Sequence, residues 1–235
     1  MRAGRVRPLA WAGYVLAALL LLVVLVHAWY AARILWWSSH PVASTAFMDH
    51  RLAELRAKNG KAELHYQWVA YERISPHLKR AMIAAEDAKF VEHEGFDWDG
   101  IQKAIEKNER RGRIVAGGST ITQQLAKNLF LSPARSWLRK GQEVVITLML
   151  EAFLDKRRIF EIYLNVIELG NGVFGAEAAS RHYFGTPASR LSPAQAARLA
   201  AMAPNPRFYE RNPGAPGLNR KVGIILGRMA SADVP

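Results

Sequence analysis

The chain has 235 residues, no cysteine, and a formal net charge of +12 from 32 Lys and Arg against 20 Asp and Glu. That length fits one membrane segment plus one folded domain, and the lack of cysteine excludes disulfides, thiolate nucleophiles and cysteine zinc sites. The positive excess favours a polyanionic partner, whether nucleic acid, an anionic lipid surface or a pyrophosphate.

The N-terminus chooses among these. Pro8 to Ala32 carries no formal charge, and Leu9 to Val26 is nearly all Leu, Val and Ala, enough to cross a bilayer as a helix of about 20 residues. Trp11, Tyr14, Trp29, Tyr30, Trp36 and Trp37 stand near its two ends, as an interfacial aromatic belt would. Arg2, Arg5 and Arg7 precede the run, so the N-terminus is expected inside and the bulk of the chain outside. The alternative is a cleaved signal peptide, but the run exceeds an ordinary h-region and Trp29 to Trp37 crowd the cleavage position. The expected layout is a cytoplasmic end at 1–8, a transmembrane helix at 9–32, a juxtamembrane linker at 33–61 and a folded domain at 62–235. A basic domain outside the cytoplasm argues against nucleic acid.

Within the linker, Leu52 and Leu55 alternate with charges until Asn59-Gly60, which predicts a short helix. Leu64, Tyr66 and Trp68 alternate, which suggests a brief extended segment. Ser75-Pro76 supplies an N-cap and a helix-initiating proline, and the helix it starts runs toward Ala88. Further helices fit Trp98 to Arg110, Ser119 (as cap) to Phe130, Trp137 to Phe153, Lys156 to Val166, Phe174 to Tyr183, the stretch opened by the capping box Ser192-Pro193-Ala194-Gln195, and Leu218 to Ala230. Three charges and three glycines from Arg110 to Gly118 predict a mobile loop. No run of alternating strands is visible, so the domain is expected to be all-α.

Several clusters carry chemistry. Glu86 and Asp87 end an apolar helix beside Ala84, Ala85 and Phe90; a partly desolvated carboxylate there would suit general acid–base work, and a solvated helix end is the plain alternative. Gly117-Gly118 runs into a helix start, where free N–H groups favour an anion. Behind it, Gln123 with Lys127 and Gln124 with Asn128 stand four apart and share a face. Arg139 and Lys140 lie four and three residues before Glu143, with Arg135 nearby. Such cations could hold a diphosphate or form an ordinary surface network. The histidines are scattered along the chain, so no histidine-built metal site is expected.

Taken in order, these segments resemble the family 51 glycosyltransferases, the peptidoglycan transglycosylases. The matching elements are Glu86-Asp87-x-x-Phe90-x-x-His93-x-Gly95, then Gly118-Ser119-Thr120-Ile121-Thr122-Gln123-Gln124-x-x-Lys127-Asn128, then Arg139-Lys140-x-x-Glu143. Ile159-x-Glu161-x-Tyr163-Leu164-Asn165 and Tyr183-Phe184-Gly185 complete the set. The resemblance implies a helical, lysozyme-like domain with a head lobe and a membrane-associated jaw lobe. It implies an enzyme that joins a lipid-pyrophosphate-linked glycan to the GlcNAc 4-hydroxyl of lipid II with inversion. By position, Glu86 would be the general base, and Lys127 and Arg135 would stabilise the departing pyrophosphate. Glu143 would stand near the donor pyrophosphate and a divalent cation such as Mg or Mn, not caged by protein, with Arg139 and Lys140 assisting. Asp87, Ser119, Thr120, Gln123, Gln124 and Asn128 would line the cleft. The implied setting is the inner membrane, with other cell-wall synthesis or division proteins as possible company.

Two positions depart from the family. Lys103, counted among the substrate-binding residues, stands where many members have arginine and so keeps the charge without the bidentate geometry; Gln195 replaces a glutamate usual in bifunctional members. With Pro235 as the last residue, these suggest the monofunctional type, without transpeptidation. A membrane-bound lytic muramidase and a non-catalytic cell-wall scaffold are the competing readings.

Overall fold

The computed structural model describes residues 8–113, 117–134 and 136–235. The arginines of the expected cytoplasmic end, part of the loop expected at 110–117, and Arg135 lie outside the described residues.

The first helix, α1 (Pro8–Trp37), is long and apolar enough to cross a membrane, and Leu16 to Leu25 are exposed along its length. Its last turns behave differently. Tyr30, Ile34 and Trp37 are buried, and the rings of Tyr30 and Trp37 lie 4.8 and 5.4 Å from that of Phe130. Arg158 closes the end, donating to the carbonyls of Trp37 at 2.8 Å and His40 at 2.6 Å. The end of this apolar helix is thus seated on the domain that follows it.

Next, α2 (Ala46–Lys58) is capped by Thr45, whose hydroxyl accepts from the Met48 amide, and stops at Asn59 as its sequence predicts. This part of the linker packs on the domain. Arg51 is buried and grips buried Glu168 with two bonds, Nε to Oε1 at 2.7 Å and Nη2 to Oε2 at 2.9 Å.

The helices that follow match the periodic stretches closely: α3 (Pro76–Glu86), α4 (Trp98–Arg111), α5 (Ile121–Phe130), α6 (Trp137–Phe153) and α7 (Lys156–Val166), then α8 (Gly175–Phe184) and α9 (Pro193–Met202). A short helix with no counterpart among the expected ones, α10 (Pro206–Arg211), comes next, opened by Pro206 at its first position, and the expected last helix is α11 (Pro216–Arg228). One layer stacks α11 and α3 on α9; the other packs α5 against α6, α7 and α2. Phe90, Phe160, Tyr163 and Phe174 are fully buried between them.

The structure departs from the expectation at two further places. A small sheet pairs β1 (His65–Tyr66) in parallel with β3 (Val173–Phe174), and β3 antiparallel with β2 (Glu168–Gly170). Strands of two or three residues are too short to show an alternating pattern, and only the first had a signal in the sequence. The turn into α8 needs glycine: Gly175 has φ +80°, and a Cβ there would meet the Asn165 carbonyl oxygen at 2.2 Å. The cap of α5 is Thr120, not Ser119, because only Thr120 has a Gln three residues on to close a capping box.

Candidate active site

The C-terminus of α3 and the N-terminus of α5 meet at Glu86 and Asp87. Glu86 Oε2 accepts from Gln124 Nε2 at 2.8 Å, while Oε1 is buried without a partner. The Gln124 amide is itself oriented, since its oxygen accepts from the Tyr163 hydroxyl at 3.2 Å. Burial dominates the ionisation of Glu86 and pushes its pKa up; the Gln124 bond and then the charges of Lys221 and Lys127 pull it back. A carboxylate held this way is ready to take a proton.

Asp87 points elsewhere. It is buried and accepts from the Ile121 amide at 3.0 Å, at the first turn of α5, with His93 Nε2 3.0 Å from its other oxygen. The carboxylate ties the two helix ends together across a loop anchored by Gly95, whose carbonyl accepts from the Thr120 hydroxyl at 2.7 Å. Gly95 has φ +86°, and a Cβ there would meet Thr147 at 2.7 Å, so the loop closes only around glycine.

Glu86 opens onto two cavities. The larger, about 620 Å³, is lined by Glu86 and Asp87, by Lys103 on α4 and by Ser119 and Thr120 at the glycine-rich lead-in. A smaller one of about 150 Å³ has alanines from α3 and α9 for its floor and Lys221 and Arg228 of α11 in its wall. A third, about 220 Å³, holds Gln124, Lys127 and Asn128 of α5 together with Arg51 and Asn205.

Lys127 stands between Glu86 and the basic cluster of α6. Its pKa is pushed down, first by burial and then by Arg139 and Lys140, against the pull of Glu143 and Glu86. Glu143 is buried and takes both neighbours, Arg139 Nη1 at 3.1 Å and the Lys140 ammonium, as their spacing predicts. Thus Glu86, Asp87, Lys103, Ser119 and Thr120 line one cavity, Gln124, Lys127 and Asn128 line another, and Glu143, Arg139 and Lys140 lie near enough to Lys127 for their charges to act on it. Gln123 differs: its side chain is buried and bonded back to the Thr120 amide at 3.0 Å, so it builds the helix cap and does not reach the cleft. Arg135 lies outside the described residues.

The site also contains groups whose sequence gave them no role. Tyr163, named in the sequence only as part of the family motif, is fully buried and also orients Gln124. Arg51, Lys221 and Arg228 carried no local signal, because what brings them to the cavities is packing between segments far apart in the chain. Among the described residues no group of three His, Asp or Glu is arranged to hold a divalent ion, and each oxygen of Glu143 already has its own cation.

The chain matches the family model described as Transglycosylase over residues 51–230, and it belongs to that family of glycosyltransferases. It is similar to proteins named biosynthetic peptidoglycan transglycosylase: 64% identical over 230 residues to that of Methylobacillus flagellatus, covering 98% of this chain and 100% of the relative. The Dechloromonas aromatica protein of the same name is 62% identical over 225 residues, covering 96% and 97%. The helical, lysozyme-like architecture is that of this family.

Proposed function

We propose that the protein polymerises the glycan strands of peptidoglycan, using lipid II as acceptor and a lipid-pyrophosphate-linked glycan as donor. Glu86 takes the proton of the acceptor's GlcNAc 4-hydroxyl. That oxygen forms a bond to the donor's anomeric carbon from the face opposite the leaving group, so configuration inverts to a β-1,4 link. The anomeric C–O bond breaks, and undecaprenyl pyrophosphate departs with the electron pair. Fixed cations help where that charge develops; Lys127 is one, and Arg135 is assigned here by its motif. A divalent ion such as Mg or Mn would travel with the diphosphate as its counter-ion.

The observation that carries the reading is the Glu86 carboxylate, with one oxygen bonded by an oriented amide, the other unpartnered, and two cavities in front of it. The apolar α1, seated on the domain, supports a single-pass anchor. We place the domain on the periplasmic side of the inner membrane, where both lipid substrates lie in one leaflet, and infer contact there with other cell-wall synthesis or division proteins.

The test is polymerisation of labelled lipid II by wild type and Glu86→Gln side by side. Polymer from the wild type only, with both proteins folded, supports the reading. Shortening of finished glycan would favour a lytic muramidase, and undiminished activity in the variant would remove Glu86 from the mechanism.

A further inference from the structure

Arg33 is the only Lys, Arg, Asp or Glu between Pro8 and Met48, and it stands about one turn before the end of α1. Trp29 and Trp37 lie four residues to either side, so all three share a face of the helix. The guanidinium carbon is 4.5 Å from the centre of the Trp37 ring and 5.7 Å from that of Trp29, within reach of cation–π attraction. Trp37 is buried against Phe130, whereas Arg33 is exposed. Among the described residues no carboxylate lies within ion-pair distance of Arg33. Arg158, which closes the same end of α1, is by contrast held by Glu161 at 2.5 Å. Stacking on a ring leaves the in-plane N–H donors of a guanidinium free for an acceptor.

The level of Arg33 along the span decides what those donors meet. From Pro8 to Arg33, α1 rises about 38 Å, and about 35 Å across the bilayer if it tilts by roughly 20°. A bilayer is about 30 Å thick in hydrocarbon and about 40–45 Å with its headgroups. An α1 that crosses with Pro8 in one headgroup layer therefore has Arg33 in the other, where phosphate oxygens are the abundant acceptors.

We propose that Arg33, held over Trp37 and Trp29, binds the phosphate of a bilayer phospholipid in the leaflet at the C-terminal end of α1, and prefers a phospholipid of net negative charge. The site rests on the reading of α1 as a membrane span. A guanidinium fork takes two phosphate oxygens at once, and a zwitterionic headgroup brings its own cation to compete for them. The same turns of α1 are seated on the domain through Tyr30, Ile34 and Trp37, so a lipid held at Arg33 sets the height of the domain on the membrane. The plain alternative is an arginine that reaches the headgroup layer and meets only its diffuse negative field. Diffuse attraction needs no ring beneath the charge and is screened by salt; a phosphate held in contact is screened far less.

Full-length wild type, Arg33→Gln and Arg33→Lys are reconstituted in phosphatidylcholine bilayers with a trace of spin-labelled phosphatidylglycerol or phosphatidylcholine, and the motionally restricted share of each label is measured. Arg33→Gln should lose about fivefold of the preference for phosphatidylglycerol at this site, in about 0.5 M salt as well as at low salt. The arginines before Pro8 attract anionic lipid too, so the difference between proteins is what is read. Arg33→Lys should recover less than half of the loss, because lysine lacks the fork and stacks poorly. All three should unfold at closely similar temperatures, since Arg33 is exposed and unpaired. Equal preference in wild type and Arg33→Gln overturns the site. So does a difference that salt abolishes, or full recovery by lysine, either of which leaves only a point charge in a diffuse field. Lipid II polymerisation in the same bilayers separates the other source of phosphate: KM for lipid II should be unchanged in Arg33→Gln. A raised KM without a change in phosphatidylglycerol preference would give Arg33 to the substrate's diphosphate and overturn the proposal. A wild type stripped from vesicles by alkaline carbonate defeats the reading of α1 as a span, a different result from an embedded wild type with an indifferent variant.

Discussion

At the scale of single residues, Glu86 is held in a compromise. Burial disfavours its charged form, yet a base must be charged to act, and the Gln124 bond with Lys221 and Lys127 offsets part of the penalty. Its pKa in the folded chain lies above its unfolded value, so the fold binds that proton more tightly than the unfolded chain does. Stability from this group is therefore complete below the unfolded pKa and is lost as pH rises through the folded one. Glu86→Gln removes the ionisation. It should lower polymerisation by about 10²–10⁴-fold, the range for a general base, while raising stability at neutral pH by roughly 1 kcal/mol. Thermal unfolding of the two proteins across pH 5 to 8 checks this, and the gap should widen with pH. Gln124 gives a second prediction. Gln124→Leu deletes a bond that favours the carboxylate, so the acid limb of the rate profile should move to higher pH, with roughly tenfold less activity at neutral pH. The alkaline limb follows Lys127, whose own pKa is pushed down, and should stay in place. An acid limb that moves toward lower pH would contradict the assignment of Glu86 as base.

At the scale of elements, the site depends on how helix ends are tied. Asp87 joins the end of α3 to the start of α5 through the Ile121 amide and His93. Asp87→Asn keeps the shape but loses the charge at a helix N-terminus, so it should cost about 1–2 kcal/mol and reduce kcat by letting Glu86 drift from Gln124. Chemical denaturation and steady-state rates check the two halves. The Arg51–Glu168 pair is a second tie, joining α2 to β2. Arg51→Ala leaves a buried carboxylate uncompensated and should cost about 3–5 kcal/mol; Arg51→Met with Glu168→Leu should recover much of that loss. Elements like α6 and α7 were legible because their caps and their apolar residues, three and four apart, agree with each other. The Glu143 cluster was legible for the same reason, since all its members sit on one helix. The Arg51–Glu168 pair was not, because its two halves are 117 residues apart and each alone reads as a surface charge. Gln123 misled through its spacing: four residues before Lys127 it seemed to share a polar face, but the capping box claims its side chain.

For the molecule as a whole, the question is where the anchor ends and the domain begins. The sequence sets the boundary at Ala32, where the uncharged run stops, but hydropathy cannot distinguish residues facing lipid from residues facing protein. The packing draws it earlier. Tyr30, Ile34 and Trp37 are as buried as the core, around Phe130, and Arg158 holds the carbonyls that follow. Fully burying one large apolar side chain contributes about 1.5–3 kcal/mol, so losing the three should cost several kcal/mol and leave Phe130 bare at the end of α5. A chain begun at residue 28 should therefore unfold at close to the full-length midpoint, and one begun at residue 39 should unfold much earlier or aggregate. Membrane attachment should divide differently. Trp137 is 93% exposed and Leu138 follows it at the start of α6, which packs on α1, a position suited to the interfacial layer of the same bilayer. The chain begun at residue 28 should still sediment with vesicles rich in anionic lipid, and Trp137→Ser with Leu138→Ser should release it without lowering its unfolding midpoint. Equal stability of the two shortened chains would show instead that the last turns of α1 only rest on the domain and do not belong to its core.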